Sequence, residues 1–218
     1  MKNFYNILRN TGLFTDIEPA ELKSLISCIN AAAKNFEKGE VILLAGDMPK
    51  YIGIVLEGQV NIVREDYNGN SSLLAAIMPG QIFAEALCCA GITESPVTVT
   101  AAAASSVMML GFSRILSVCP NSCSFHRKLI ENMLGLLAKK NIMLQSRMEI
   151  IGAKSVRAKA LLYLESLMPK QGCEITIPFN RDELANFLCV DRSALSHELG
   201  RMKKEGLIDY RKNVFVLK

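Results

Sequence analysis

The sequence predicts an α+β chain in three parts: an antiparallel β domain, a long helix, and a C-terminal pair of helices closed by a hairpin. Short β-like runs between regularly placed glycines fill the first half. An apolar repeat alternating four and three residues runs from Ile130 to Ile151, and a helix, turn, helix and hairpin pattern occupies the end of the chain. The boundaries that follow are 1–118, 119–151 and 152–218.

The 218 residues suffice for one large domain or two modest ones, and charge favours division. From Gly152 to Lys218 there are 12 Lys+Arg against 8 Asp+Glu; the remaining 13 and 13 of the chain's 25 and 21 balance. All the net charge therefore lies in the last third. No apolar run approaches the roughly 20 residues of a membrane span. Met1 to Thr15, with its scattered polar residues, does not resemble a signal peptide. The 7 cysteines, an odd number, are expected as reduced thiols in a cytoplasmic protein. With no CxxC pair and only His126 and His197, neither a zinc site nor a Ser/His/Asp arrangement has raw material. No catalytic residue, metal site or membrane partner is expected.

Met1 to Ala33 reads as helical, with Leu22, Leu25, Ile26 and Ile29 at helical spacing and Asp16 or Glu18 before Pro19 marking a start. From Asn35 the texture changes. Runs such as KGEVILLAGD, YIGIVLEGQVNIV and VTVTAAAASSVMMLGF are separated by Gly39, Gly46, Gly53, Gly58, Gly69, Gly80, Gly91 and Gly111. Strands and turns in this rhythm suggest an antiparallel barrel or double-sheet roll.

Ile130, Leu134, Leu137, Asn141, Leu144, Met148 and Ile151 fall alternately four and three apart, a coiled-coil seam of about three heptads. A helix packed on its own domain would also account for the apolar positions. Asn141 favours the seam, because one polar member costs stability but fixes register in a two-chain coil.

In the stretch NRDELANFLCVDRSALSHELGRMKKE, Leu184, Ala185 and Leu188 make one narrow apolar edge and Leu195, Leu199 and Met202 another. Cys189-Val190-Asp191 has the length of a tight turn, with Asp191 as N-cap of the second helix. Arg192, Ser193, Ser196, His197 and Arg201 are left on the opposite face, which offers donors and positive charge suited to major-groove edges and phosphates. Any two amphipathic helices share part of this pattern. The segment after it adds weight: Gly206-Leu207-Ile208 ends the helix, Tyr210 to Asn213 forms a polar turn, and Val214 and Val216 alternate in a strand. Together these elements read as a winged helix-turn-helix.

The order KGEVILLAGD, IVLEGQVNIV, PGQIFAEALCCAG, a strand into VMML, a long helix and a winged helix resembles the CRP/FNR family of bacterial transcription regulators over nearly the whole chain. The resemblance implies a cyclic-nucleotide-binding-type β-roll of double-stranded β-helix or jelly-roll form. It also implies a dimerisation helix, with a hinge at Gly152 and Ser155-Val156-Arg157 opening the DNA-binding domain. The partners it implies are a second copy of the chain, double-stranded DNA with a two-fold symmetric site, and RNA polymerase. It places base reading at Arg192, Ser193, Ser196 and His197, where many members carry a Glu and an Arg in place of Ser193 and His197. Arg181, Arg201, Lys203, Lys204, Arg211 and Lys212 are candidates for phosphate contact.

Nucleotide-binding members use a Glu for the ribose and an Arg-Ser pair for the cyclic phosphate. Here Glu85-Ala86 matches the first, but Ser95-Pro96 stands where the pair would be, and no Lys or Arg occurs between Arg64 and Arg114. A buried phosphate without a cation carries a large desolvation cost, which argues against cyclic AMP. The long helix would add contacts around Asn141, Ile142 and Met143, the last two apolar. The effector and any cofactor stay unknown; an apolar pocket lined by Met108, Met109, Met143 and Met148, or an empty one, fits better. Two alternatives stay open: a ligand-binding module acting through a protein partner, and a thiol or redox sensor using Cys88-Cys89 or Cys119 with Cys123.

Overall fold

The computed structural model describes residues 2–117, 124–167 and 174–218, which form two compact units, 1–138 and 139–218. The division falls inside the long helix, so each unit takes part of it. No helix among the described residues is long and apolar enough to cross a membrane.

The first unit opens with α1 (Lys2–Arg9) and α2 (Pro19–Cys28). Pro19 supplies the pre-set φ of a first helical turn, and the Glu18 N–H donates to Glu21 Oε2 at 3.3 Å. The helix ends at Cys28, short of the expected Ala33, because Asn30 turns left-handed at φ 51°. Strand β1 (Ala32–Phe36) therefore starts before Asn35; its AAKNF sequence has no alternation to announce it.

Two antiparallel sheets follow. Strands β2 (Val41–Leu43), β3 (Tyr51–Glu57), β4 (Val60–Glu65), β5 (Ser71–Ile77), β6 (Ile82–Phe83), β7 (Thr98–Ala101) and β8 (Ser105–Gly111) pair as β1-β8-β3-β6 and β2-β7-β4-β5. Helices α3 (Glu85–Cys89) and α4 (Phe112–Leu116) interrupt and close the run. Strand alternation decides which core each side chain joins. Ile52, Ile54 and Leu56 of β3, with Met108 and Leu110 of β8, pack on Leu22, Leu25 and Ile29 of the N-terminal segment and on Leu129 and Met133. The intervening Val55, Val107 and Met109 turn the other way and meet Val60, Phe83 and Val99 between the sheets.

Of the eight glycines in this region, Gly39, Gly46, Gly58, Gly69, Gly80 and Gly91 occupy left-handed turns. Gly53 and Gly111 do not; they lie within β3 and β8. Gly53 is required by a neighbour: a Cβ there would fall 2.0 to 2.6 Å from the Phe83 ring.

Helix α5 (Ser124–Gly152) is the long helix. In the first unit it buries Leu129 and Met133, with Ile130, Leu136 and Leu137 half-buried beside them. The second unit holds its C-terminal half together with α6 (Val156–Leu167), β9 (Glu174–Thr176), α7 (Arg181–Leu188), α8 (Arg192–Lys204), β10 (Ile208–Arg211) and β11 (Val214–Leu217). Its core joins Ile150, Tyr163 and Leu164 to Leu184, Leu188, Leu195, Leu199, Met202, Ile208 and Phe215. The wing is three-stranded, β10-β11-β9, so Glu174–Thr176 adds a strand not expected from the sequence. Tyr210 and Arg211 belong to β10, which narrows the expected polar turn to Lys212 and Asn213.

Replacing Gly53 by Ala should lower the stability of the β-roll by about 1 to 3 kcal/mol through overpacking against Phe83. A fall in urea midpoint at unchanged slope would record it. An unchanged midpoint would show that Phe83 has room to turn.

Candidate nucleic-acid interface and effector region

Helix α7 begins with a reciprocal cap: the Glu183 N–H donates to Asn180 Oδ1 at 3.0 Å and the Asn180 N–H to Glu183 Oε2 at 2.8 Å. It ends where Cys189 goes left-handed at φ 52°. Lys159 of α6 donates to the carbonyls of Leu188 and Cys189 at 3.2 and 3.4 Å, placing a cation on the last turn of α7. Asp191 then caps α8, its Oδ1 accepting the N–H groups of Ser193 and Ala194 at 2.8 and 3.0 Å and the Ser193 hydroxyl at 2.5 Å. The Ser193 hydroxyl first, then the backbone donors, hold the Asp191 carboxyl below its ordinary value.

Leu195, Leu199 and Met202 are at most 1 % exposed, so α8 has one permitted rotation. That rotation leaves Arg192, Ser193, Ser196, His197, Arg201, Lys203 and Lys204 exposed. They differ in freedom. Arg192 Nε lies 3.0 Å from Asp182 Oδ1, and the Ser193 hydroxyl is committed to Asp191. Arg201 faces Glu198 at 3.4 Å and Glu205 at 3.9 Å. Lys203 bonds Asp209 at 2.6 Å and the Tyr210 carbonyl at 3.1 Å. Ser196 and His197 present exposed polar groups in the middle of this face.

Arg181 stacks over Tyr210 and Phe215, 4.9 Å from each ring centroid, and donates to the Lys212 carbonyl at 2.9 Å. Burial lowers its pKa. This arginine braces the wing, while Arg211 and Lys212 are exposed at its tip. Asp182 and Lys159 are parts of the site that the sequence did not mark, since their partners are distant in the chain.

Around the expected effector position, Ala84 adopts a left-handed φ of 62° and Glu85 opens α3, 5 % exposed. Ser95 is buried with its hydroxyl donating to the Val97 carbonyl at 2.7 Å. Ala86 and Pro96 are exposed. Asn141 and Met143 are exposed too and belong to the second unit. A cavity of about 380 Å³ opens beside Ala84, lined by Ile42, Leu43, Met48, Tyr51, Phe83 and Met109 with Asp47 and Lys50 at its polar side. Met109 reaches it, whereas Met108 belongs to the helix-facing core.

The Cys88 thiol is buried and donates to the carbonyls of Pro49 and Tyr51 at 3.4 and 3.5 Å. Burial pushes it up to about 11, and burial also raises Cys89. Near neutral pH both stay thiols rather than thiolates, the opposite of a reactive pair. Cys119 and Cys123 lie outside the described residues.

The expected seam divides by burial. Leu134, Leu144 and Met148 are 64 %, 60 % and 68 % exposed and Asn141 is exposed with them. Ile130, Leu137 and Ile151 are half-buried within their own units.

Residues 33–122 match the family model of the cyclic nucleotide-binding domain, and residues 158–218 match that of the Crp-like helix-turn-helix domain. The chain belongs to the CRP/FNR family. It is 22 % identical over 204 residues to the cyclic AMP receptor protein of Thermus thermophilus, covering 92 % of this chain and 89 % of that one. Its fold is that of DNR from Pseudomonas aeruginosa, with a TM-score of 0.54 at 19 % identity over 100 % of this chain and 95 % of that one. The regulator CLP of Xanthomonas campestris is similar too, with a TM-score of 0.53 at 15 % identity over 92 % and 99 % of the two chains. CRP/FNR proteins are DNA-binding transcription regulators, not enzymes, and this chain carries both of the family's domain types in order.

Asp191→Ala should lower the unfolding midpoint of the second unit, with Asp191→Asn recovering most of the loss. Because the folded-state pKa is depressed, the carboxylate's contribution is present above the ordinary value of ~3.9 and is lost as pH falls through the lower folded value. The gap between the unaltered chain and the Ala variant should therefore be constant from about pH 7 to 5 and narrow below about pH 4 toward the gap between the Asn and Ala variants. A gap that does not narrow in acid would show that the charge adds nothing to the cap.

Proposed function

We propose that the chain is a homodimeric, sequence-specific transcription regulator whose α8 enters the major groove of a two-fold symmetric site. The observation that carries the reading is the division of α8: three buried apolar residues on one side, and Arg192, Ser196 and His197 exposed on the other. A helix held this way offers donors at its N-terminal half, the part that reaches base edges in helix-turn-helix proteins. Arg201, Lys204, Arg211 and Lys212 supply positive charge for flanking phosphates.

The division of labour is residues 1–118 for sensing, 119–151 for dimerisation and 152–218 for DNA binding. Leu134, Leu144 and Met148 with Asn141 supply the face for a second copy. The input is a small effector other than cyclic AMP. The Thermus relative is named for cyclic AMP and the Xanthomonas one is described as c-di-GMP responsive. Both are anionic ligands, whereas Ser95 and Pro96 bring no cation and the Ser95 hydroxyl is already bonded to Val97. A regulator of this kind works in the cytoplasm, with RNA polymerase as the partner of its output.

Binding to promoter DNA should weaken steeply with salt through counterion release. His197→Ala should cost about 1 to 3 kcal/mol at one base pair of each half-site. Lys204→Ala should weaken all sequences alike and, by removing one phosphate contact per protomer, reduce the salt slope of the dimer by about 1.8. Binding that ignores sequence, or none at all, would instead favour a module that acts through a protein partner. In a sizing experiment, Asn141→Leu should alter the oligomeric order by removing the polar register member; unchanged order would argue against this face.

A further inference from the structure

We infer that Arg157, which makes no part of the exposed reading face, is a positioning residue that sets the angle at which α8 is presented to DNA. It is the second residue of α6 and follows the three-residue break, Ala153–Ser155, after α5. The Ser155 hydroxyl accepts the Ala158 N–H at 3.1 Å, so the helix start that carries Arg157 is itself fixed.

One guanidinium holds two points of the recognition helix. Its Nε donates to Glu198 Oε1 at 2.5 Å, while Nη1 and Nη2 donate to the two oxygens of Glu205 at 2.7 and 3.0 Å. Glu198 lies in the middle of α8 and Glu205 is its C-cap. Seven residues separate them, about two turns or roughly 10 Å along the axis. A rigid planar fork bridging that span constrains both tilt and axial position, which a flexible ammonium does not. The apolar contacts of Leu195, Leu199 and Met202 fix rotation but are non-directional along the axis.

Charge gives Arg157 a second role. Glu198 is only 15 % exposed in its side chain and Glu205 41 %, so two carboxylates sit behind a helix that must approach phosphates. Arg157 offsets one of their two negative charges while bonding both. Without it Arg201, already 3.4 Å from Glu198 and 3.9 Å from Glu205, would be drawn back onto them and away from the nucleic acid.

The inference rests on the DNA-reading role of α8 and is tested by a comparison that separates the two. The full chain first recovers a preferred duplex from a random-sequence pool; failure to prefer any duplex removes the reading itself. Affinity for that duplex and for random duplex is then measured for the unaltered chain, Arg157→Lys, Arg157→Met, Glu205→Gln and Arg157→Met/Glu198→Gln/Glu205→Gln, with thermal midpoints alongside. Arg157→Met should lose at least roughly tenfold in the ratio of preferred to random binding, comparable to one mismatched base pair. Arg157→Lys should recover charge but only part of the ratio. The triple variant should recover random-duplex affinity without recovering the ratio, because it removes the repulsion and leaves the helix unpositioned. Glu205→Gln, at an exposed helix end, keeps the test open if Arg157→Met fails to fold, and it should lower the ratio while leaving the midpoint nearly unchanged. A purely structural role would shift midpoints and both affinities together. An unchanged ratio in Arg157→Met, or in Glu205→Gln if the former does not fold, overturns the inference.

Discussion

The burial of Leu195, Leu199 and Met202 is the contact on which the functional half of this chain depends. A helix advances about 100° per residue, so fixing three positions on one side fixes what all the others face. Deleting one such leucine would cost about 2 to 5 kcal/mol, more than any ion pair on the exposed side could offset. The caps then act on ends already placed. Asp191 starts α8 and Asn180 starts α7, while Arg181 and the Tyr210 and Phe215 rings hold the wing beside them. The direction of the polar face is thus set by the fold itself.

The β-roll is governed by a different constraint, the period of two along its strands. Strand β3 is buried on both faces, so each residue must suit one of two cores. The demand is sharpest at Gly53, where the Phe83 ring takes the volume that a side chain would fill. The cavity beside Ala84 sets apolar walls against the charged Asp47 and Lys50, and the nearby Ser95 supplies a neutral hydroxyl already engaged by the Val97 carbonyl. Neither Ser95 nor Pro96 brings a counter-charge for a phosphate.

Much of this was legible in the sequence where the cause is local. Asp191, the β-like runs between glycines, and the apolar sides of α7 and α8 depend on neighbours within a few residues, and the chain states them directly. Strand β1 was not legible, because AAKNF gains its place from pairing with β8 rather than from its own pattern. Nor was β9, which exists by pairing with β11. The long helix shows another limit. Leu129 and Met133 lie beside the four-three repeat, and periodicity alone could not tell which apolar residues meet their own unit and which stay exposed. The pairs Arg192 with Asp182 and Arg157 with Glu198 and Glu205 join distant segments, and nothing in local spacing announces them.

The central claim is that the exposed face of α8 reads DNA as one of a symmetric pair. Selection of duplexes from a random-sequence pool by the full chain tests it most directly, followed by the same selection with Ser196 and His197 both changed to Ala. The account predicts a two-fold symmetric sequence with half-site centres about 10 base pairs apart, replaced or flattened at matching positions of both half-sites in the variant. Recovery of no common sequence, or of the same sequence by both proteins, would contradict it.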